Sequence, residues 1–272
     1  MASDPIFTHL IQELYSDSYV ARLGSISDII KDCKPKGYLT KSLLELLPKV
    51  FDVLEIVVKI CWSNYIDENL QSMVDSAVAY VSYAMMGCWI ERNTVPDIFD
   101  RFLIALTFVN YLADLIYCTT AKKYYKLTPK ILTVFFENVL MEDFKKRGGW
   151  KRLEKHILSK NYLEYHYECS AYDFVYDNIP KDLKQKCEKA MRLREVLISV
   201  TIFLTELSPP SLSEEQSDSE ETEGSSSTEA KVVEDPYMYS RGIDYRLCES
   251  RLNRLEEKLR QLISIFELLE AE

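Results

Sequence analysis

Glycine is scarce in this chain: seven residues in 272, where ordinary usage would supply roughly 19. Hairpin turns, sheet bulges and phosphate-cradling loops all draw on glycine, because it alone takes positive φ freely. Their shortage argues against a sheet-rich fold and predicts helices joined by short connections. Histidine is scarcer still, with only His9, His156 and His166. His166 and Cys169 stand three apart, close enough to meet on one helix. A structural metal site needs about four ligands, and no second pair accompanies them. No GxSxG, Walker or GxGxxG motif occurs. We therefore expect no catalytic residues, no metal and no cofactor. The seven cysteines, at 33, 61, 88, 118, 169, 187 and 248, are odd in number and never form CxxC. Several sit inside apolar runs, as reduced core thiols do. The N-terminus lacks the basic start and apolar stretch of a signal peptide. Together these point to a reducing compartment, the cytoplasm or the nucleus. The longest membrane candidate, Val196 to Leu204, is about half the length of a spanning helix.

Charge is segregated. Residues 207–235 carry nine acids and one base, Lys231, for a net −8 of the chain's −10. The remainder, with 34 acids and 32 bases, is nearly neutral, so a general nucleic-acid binder is not expected. One basic cluster, Lys145, Lys146, Arg147, Lys151, Arg152 and Lys155, reads either as a nuclear import signal or, more simply, as bases complementing a helix C-terminus. In the acidic tract Ser211, Ser217 and Ser226 each precede a Glu by three residues, the spacing an acid-directed kinase uses.

Periodicity divides the chain into a helical domain over 1–206, an acidic Ser/Glu-rich linker over 207–240 and an interaction helix over 241–272. Ile6, Leu10, Ile11 and Leu14 open a first helix; Ser16-Asp17-Ser18 breaks it; Val20, Leu23, Ile26 and Ile30 resume the pattern up to Lys34-Pro35-Lys36-Gly37. Thr40 caps a second helix over 39–63, in which Pro48 can introduce a kink. Asp67 is expected to cap a third, running to about 92. Pro96 stands in the first turn of a fourth over 96–120. This fourth helix is apolar on every face, as a central buried helix is. Thr128-Pro129 opens a fifth, ending at Gly148-Gly149; Trp150 begins a sixth to about 167; a seventh starts near Pro180. The fold class expected is all-α, a compact multi-helix bundle, with a HEAT- or armadillo-like helical repeat as the alternative. The linker is too charged and too poor in apolar residues to build a core. Beyond it, Tyr245, Cys248, Leu252, Leu255, Leu259, Leu262, Phe266 and Leu269 keep unbroken 3-4 spacing, a coiled-coil seam.

The segment Asp143-Phe144-Lys145-Lys146-Arg147-Gly148-Gly149-Trp150-Lys151-Arg152-Leu153 resembles the second homology motif of the B-cell lymphoma family of apoptosis regulators. Counting back without a gap, that family's Asn-Trp-Gly-Arg falls on Ile98-Phe99-Asp100-Arg101, with only Arg101 in common. The likeness covers about residues 96–155. It implies a hydrophobic groove that receives an amphipathic partner helix. Arg101 would pair with an aspartate of that helix, and Phe102, Gly148, Gly149 and Trp150 would build the groove and its end. Asp100 replaces a glycine and is expected to set a carboxylate where the partner approaches. Tyr19, Leu23, Ser27 and Asp28 have the spacing of a death-motif helix.

The function expected is protein–protein interaction through helix-in-groove or coiled-coil contacts, with self-association, no nucleic acid and no membrane span. A helical-repeat adaptor and an oligomeric, viral matrix-like structural protein are the alternatives. A lone helix over 241–272 would leave its apolar seam in water, and helices draw most of their stability from packing such a face, so the seam needs a partner. Leu255→Glu with Leu262→Glu should abolish the association. Light scattering on the full chain, the 1–206 fragment and this double variant checks it; three equal monomer masses would refute the seam.

Overall fold

A computed structural model describes residues 3–15 and 25–191. The interaction helix with its seam, the linker, Ser211, Ser217, Ser226, the Val196–Leu204 run, and Tyr19 and Leu23 all lie outside the described residues. Among the described residues the chain is helical, with no strand beyond an isolated bridge between Lys36 and Leu39.

The helices are α1 (Pro5–Leu14), α2 (Ile26–Ile30), α3 (Lys41–Val74), α4 (Ala77–Thr94), α5 (Ile98–Thr120), α6 (Thr128–Phe135), α7 (Met141–Lys146), α8 (Gly149–Leu158), α9 (Tyr162–Ser170) and α10 (Lys181–Met191). At the centre runs α5. Phe102, Leu103, Ile104, Leu106, Phe108, Val109, Leu112 and Ile116 are buried on all its sides, and α2, α3, α4, α6 and α7 pack around it. In a repeat array each hairpin touches only its neighbours; here one helix is wrapped by five, and the fold is a compact bundle. By length and composition α5 could also cross a membrane, a longer candidate than Val196–Leu204. Within the bundle it is the core helix, with 67% of its most apolar stretch buried.

Several boundaries differ from expectation. Asp67 does not start a helix. No glycine or proline interrupts residues 64–76, and buried Tyr65, Ile66 and Met73 continue the apolar face, so α3 runs on to Val74. The break falls at Ser76, whose hydroxyl accepts the Ala79 amide at 3.0 Å. Thr40 caps α3 as expected, and Pro48 stays inside it. Pro96 precedes α5 rather than entering it. It holds Val95 extended, and Asp97 caps the helix by accepting the Phe99 and Asp100 amides. Thr128 is no cap either: a 3₁₀ turn, Tyr124–Leu127, leads into α6, and the Thr128 hydroxyl is buried without a hydrogen bond. A π-turn over Phe136–Leu140 joins α6 to α7. The expected sixth helix is broken between Leu158 and Tyr162, giving α8 and α9.

One contact in the core leaves almost no tolerance. Gly87 of α4 faces Phe108 of α5 so closely that a Cβ there would lie 2.3 Å from the ring. Phe108 in turn packs on Trp62 with ring centroids 4.5 Å apart.

The Trp62 indole N–H donates to Glu91 at 2.6 Å. Glu91 is buried and its second carboxylate oxygen has no hydrogen bond. Burial pushes its pKa up from 4.5 to about 7, against the lowering effect of the Trp62 bond. The folded state therefore holds this proton more tightly than the unfolded chain does. The native state gains from it below the unfolded value, and that gain is lost as pH rises from 4.5 to about 7. The effect is on the order of 3 kcal/mol. Urea unfolding of Glu91→Gln across this range should show a flatter pH dependence than the parent protein; identical slopes would contradict the assignment.

Candidate functional site: the Gly-Gly-Trp corner

Where α7 ends, Gly148 (φ 104°) and Gly149 (φ 55°) are successive left-handed residues. Side chains with a Cβ rarely adopt this conformation, so the glycine pair is what permits the chain to reverse here. The reversal starts α8 and turns Trp150 inward. Its ring meets Phe102 of α5 at 5.4 Å and 87°, and Phe144 of α7 at 5.3 Å and 68°. Two segments far apart in sequence, 101–102 and 148–150, are thereby joined through one edge-to-face contact.

The first helix completes this cluster. Phe7 stacks on Phe136 of the π-turn, centroids 4.0 Å apart and 18° between planes, and lies edge-on to Phe102 at 6.2 Å. Phe7, Leu10, Ile11 and Leu14 are all buried, so α1 is an amphipathic helix seated by its i, i+3, i+4, i+7 face. Asp4 anchors it. The carboxylate caps α1 by accepting the Ile6 and Phe7 amides at 3.0 Å each, and also accepts the Trp150 indole N–H at 3.1 Å. Lys145 stands 3.8 Å from its other oxygen.

Beside this corner opens a cleft of about 340 Å³ between Asp4, Pro5 and Ile6 on one side, Tyr38, and Lys145 with the stretch from Gly148 to Lys151 on the other. Gly148, Gly149 and Trp150 form part of its wall; Arg101 and Phe102 do not. Phe102 is buried in the aromatic cluster. Arg101 is half-buried, and its Nε donates to the Val95 carbonyl. Partial burial and nearby Arg92 lower its pKa, while Asp143 and Asp97 act the other way.

Asp100 corrects an expectation. It does not face a partner but turns inward, with 3% of its surface exposed. It accepts hydrogen bonds from His156 Nε2 at 2.5 Å and the Tyr162 hydroxyl at 2.9 Å, and pairs with Lys160 at 3.1 Å. Burial alone would raise its pKa, but these donors hold it below the usual carboxylate range. The break between α8 and α9 lets His156, Lys160 and Tyr162 converge on it. Asp97, Asp100 and His156 offer ligand atoms within 4.8 Å of one another. Those atoms already serve as the α5 cap and as partners of Lys160 and Tyr162.

His166 and Cys169 find separate partners. His166 pairs with Asp52 at 3.3 Å, and the buried Cys169 thiol hydrogen-bonds that of Cys187 on α10. Ser27 and Asp28 lie on α2; Ser27 is buried, and Asp28 is exposed and paired with Lys31 at 2.7 Å. A second concavity, about 870 Å³, lies between α2, α3 and the Asp173–Phe174 turn. Its charges are largely matched: Lys31 with Asp28, Lys59 with Glu55 at 3.2 Å, and His166 with Asp52.

Sequence reasoning missed Asp4, Tyr38, Phe136 and Phe144 as members of the corner. Asp4-Pro5 carried a signal, an N-cap followed by proline at the first helical position. The Trp150 bond, spanning 146 residues, carried none. No family model, curated protein or solved structure matches this chain.

Asp4→Ala removes a cap worth about 1 kcal/mol and strands a buried indole N–H, a further 1–3 kcal/mol or so. Hydrogen exchange should show α1 amides losing protection while α5 amides keep theirs. Asp4→Asn, which retains an acceptor, should lose less. Uniform loss across both helices would contradict this local anchoring.

Proposed function

We propose that this chain is a non-enzymatic protein–protein interaction module that receives an amphipathic partner helix at the Gly-Gly-Trp corner, in the manner of the apoptosis regulators it resembles. The observation that carries the reading is the Phe102–Trp150 contact. It brings the arginine segment and the glycine-tryptophan segment to one end of the bundle, beside an open cleft. Tyr38, 55% exposed, offers that cleft an aromatic edge, and Lys145 and Lys151 border it. Aromatic side chains flanked by cations suit a helix with apolar anchors and acidic flanks. Arg101 makes no ion pair among the described residues, which leaves its terminal nitrogens for a partner's aspartate. Asp100, turned inward, does not oppose the approach. Within the chain itself, the amphipathic helix α1 already packs its Phe7 on Phe102 and Phe136, an internal precedent for this kind of contact.

Fluorescence anisotropy with a panel of aspartate-bearing amphipathic peptides tests the proposal. Arg101→Ala should weaken binding about tenfold or more, since a hydrogen bond to a charged group contributes about 1.5–3 kcal/mol. If no peptide in the panel binds, the bundle is better read as a scaffold.

A further inference from the structure

Helix electrostatics account for only part of the basic cluster. Lys145 and Lys146 lie in the last turn of α7, and Lys155 in the last turn of α8, where cations complement the dipole. Lys151 and Arg152 lie in the first turn of α8, where cations are disfavoured. That turn contains no acidic residue, and α8 has no side-chain cap. All six bases are exposed. Lys146 is matched by Glu142 at 2.7 Å and Lys145 more loosely by Asp4. Arg147, Lys151, Arg152 and Lys155 make no ion pair among the described residues. Four unmatched cations thus lie on the Gly148 turn and along α8, and one of them, Lys151, lines the cleft. Unmatched like charges repel one another, so the folded body carries here a local surplus that a polyanion would relieve.

The same chain supplies one. Residues 207–235 hold Glu214, Glu215, Asp218, Glu220, Glu221 and Glu223 within ten positions, and the whole tract is net −8 while the rest of the chain is net −2. We propose that the acidic tract docks in cis on the patch formed by Arg147, Lys151, Arg152 and Lys155. The tract begins sixteen residues past Met191, the last described residue of α10, and so stays tethered to the body. Because linkage is intramolecular, the effective concentration of the tract at the patch is on the order of millimolar, enough for a purely electrostatic contact. Docked there, the tract borders the cleft through Lys151 and competes with any acidic ligand approaching it. This inference concerns the charged rim and does not depend on a helix binding in the groove.

Lys122, Lys123 and Lys126 between α5 and α6, with Lys130 in the first turn of α6, form a second exposed group, and they provide the control. Treating the full-length protein with a carbodiimide joins carboxylates to lysine amines in direct contact. Peptide mapping should find Lys151 and Lys155 linked to the 214–223 stretch, in preference to Lys122, Lys123, Lys126 and Lys130. Raising salt to about 1 M, where charges are screened within about 3 Å, should cut these links at least about fivefold. Arg147→Glu with Arg152→Glu, which leaves both reporting lysines in place, should do the same at low salt. Mixing unlabelled with nitrogen-15-labelled protein should give links within one isotope only. Links spread evenly over both lysine groups, or links that join the two isotopes, would overturn the proposal.

Discussion

A helix that is apolar on every face has nowhere to stand except inside. The α5 helix imposes that condition, and the rest of the bundle follows from meeting it. Its neighbours must present enough apolar surface to enclose 23 residues, which α3 does with a 34-residue helix and α4 by bringing its backbone unusually near. Its N-terminal end is closed differently. There the enclosure is made from aromatic rings and a handful of buried polar groups, and Asp100 satisfies its charge with His156, Lys160 and Tyr162 rather than with water.

The candidate site is a by-product of this enclosure. Sealing the end of α5 needs a wide, flat side chain, and Trp150 supplies it only because two left-handed glycines turn the chain back on itself. The indole then needs an acceptor, which Asp4 provides from the far end of the sequence. Asp4 thus performs three tasks at once: it caps α1, receives the indole and stands near Lys145. The result is a corner in which packed rings lie directly beneath open, positively charged surface. That proximity of a rigid apolar floor to a charged rim is the arrangement on which the functional reading rests.

Much of this was legible in advance. The central helix announced itself through Phe102 to Ile116, and the glycine pair with Trp150 marked a chain reversal. Thr40 was visible as a cap because a hydroxyl at that place has one local use. Errors arose where two residues could serve the same local purpose. Asp67 and Ser76 are both capable caps, and only the buried face of Tyr65, Ile66 and Met73 decides between them. Pro96 and Asp97 compete in the same way at the start of α5. The inward turn of Asp100 was not legible at all, because its partners come from a break in α8–α9 that depends on the tertiary contact it creates.

The close approach of Gly87 to Phe108 couples two positions that look unrelated in the sequence. A methyl group at 87 is tolerable only if the ring at 108 shrinks or swings away, and the ring cannot swing without disturbing Trp62. Position 87 therefore cannot gain bulk while the ring at 108 stays in place. A descendant of this chain that acquires a larger residue at 87 must already have lost bulk at 108, so the order in which substitutions accumulate along this helix pair is constrained by the geometry of a single missing carbon.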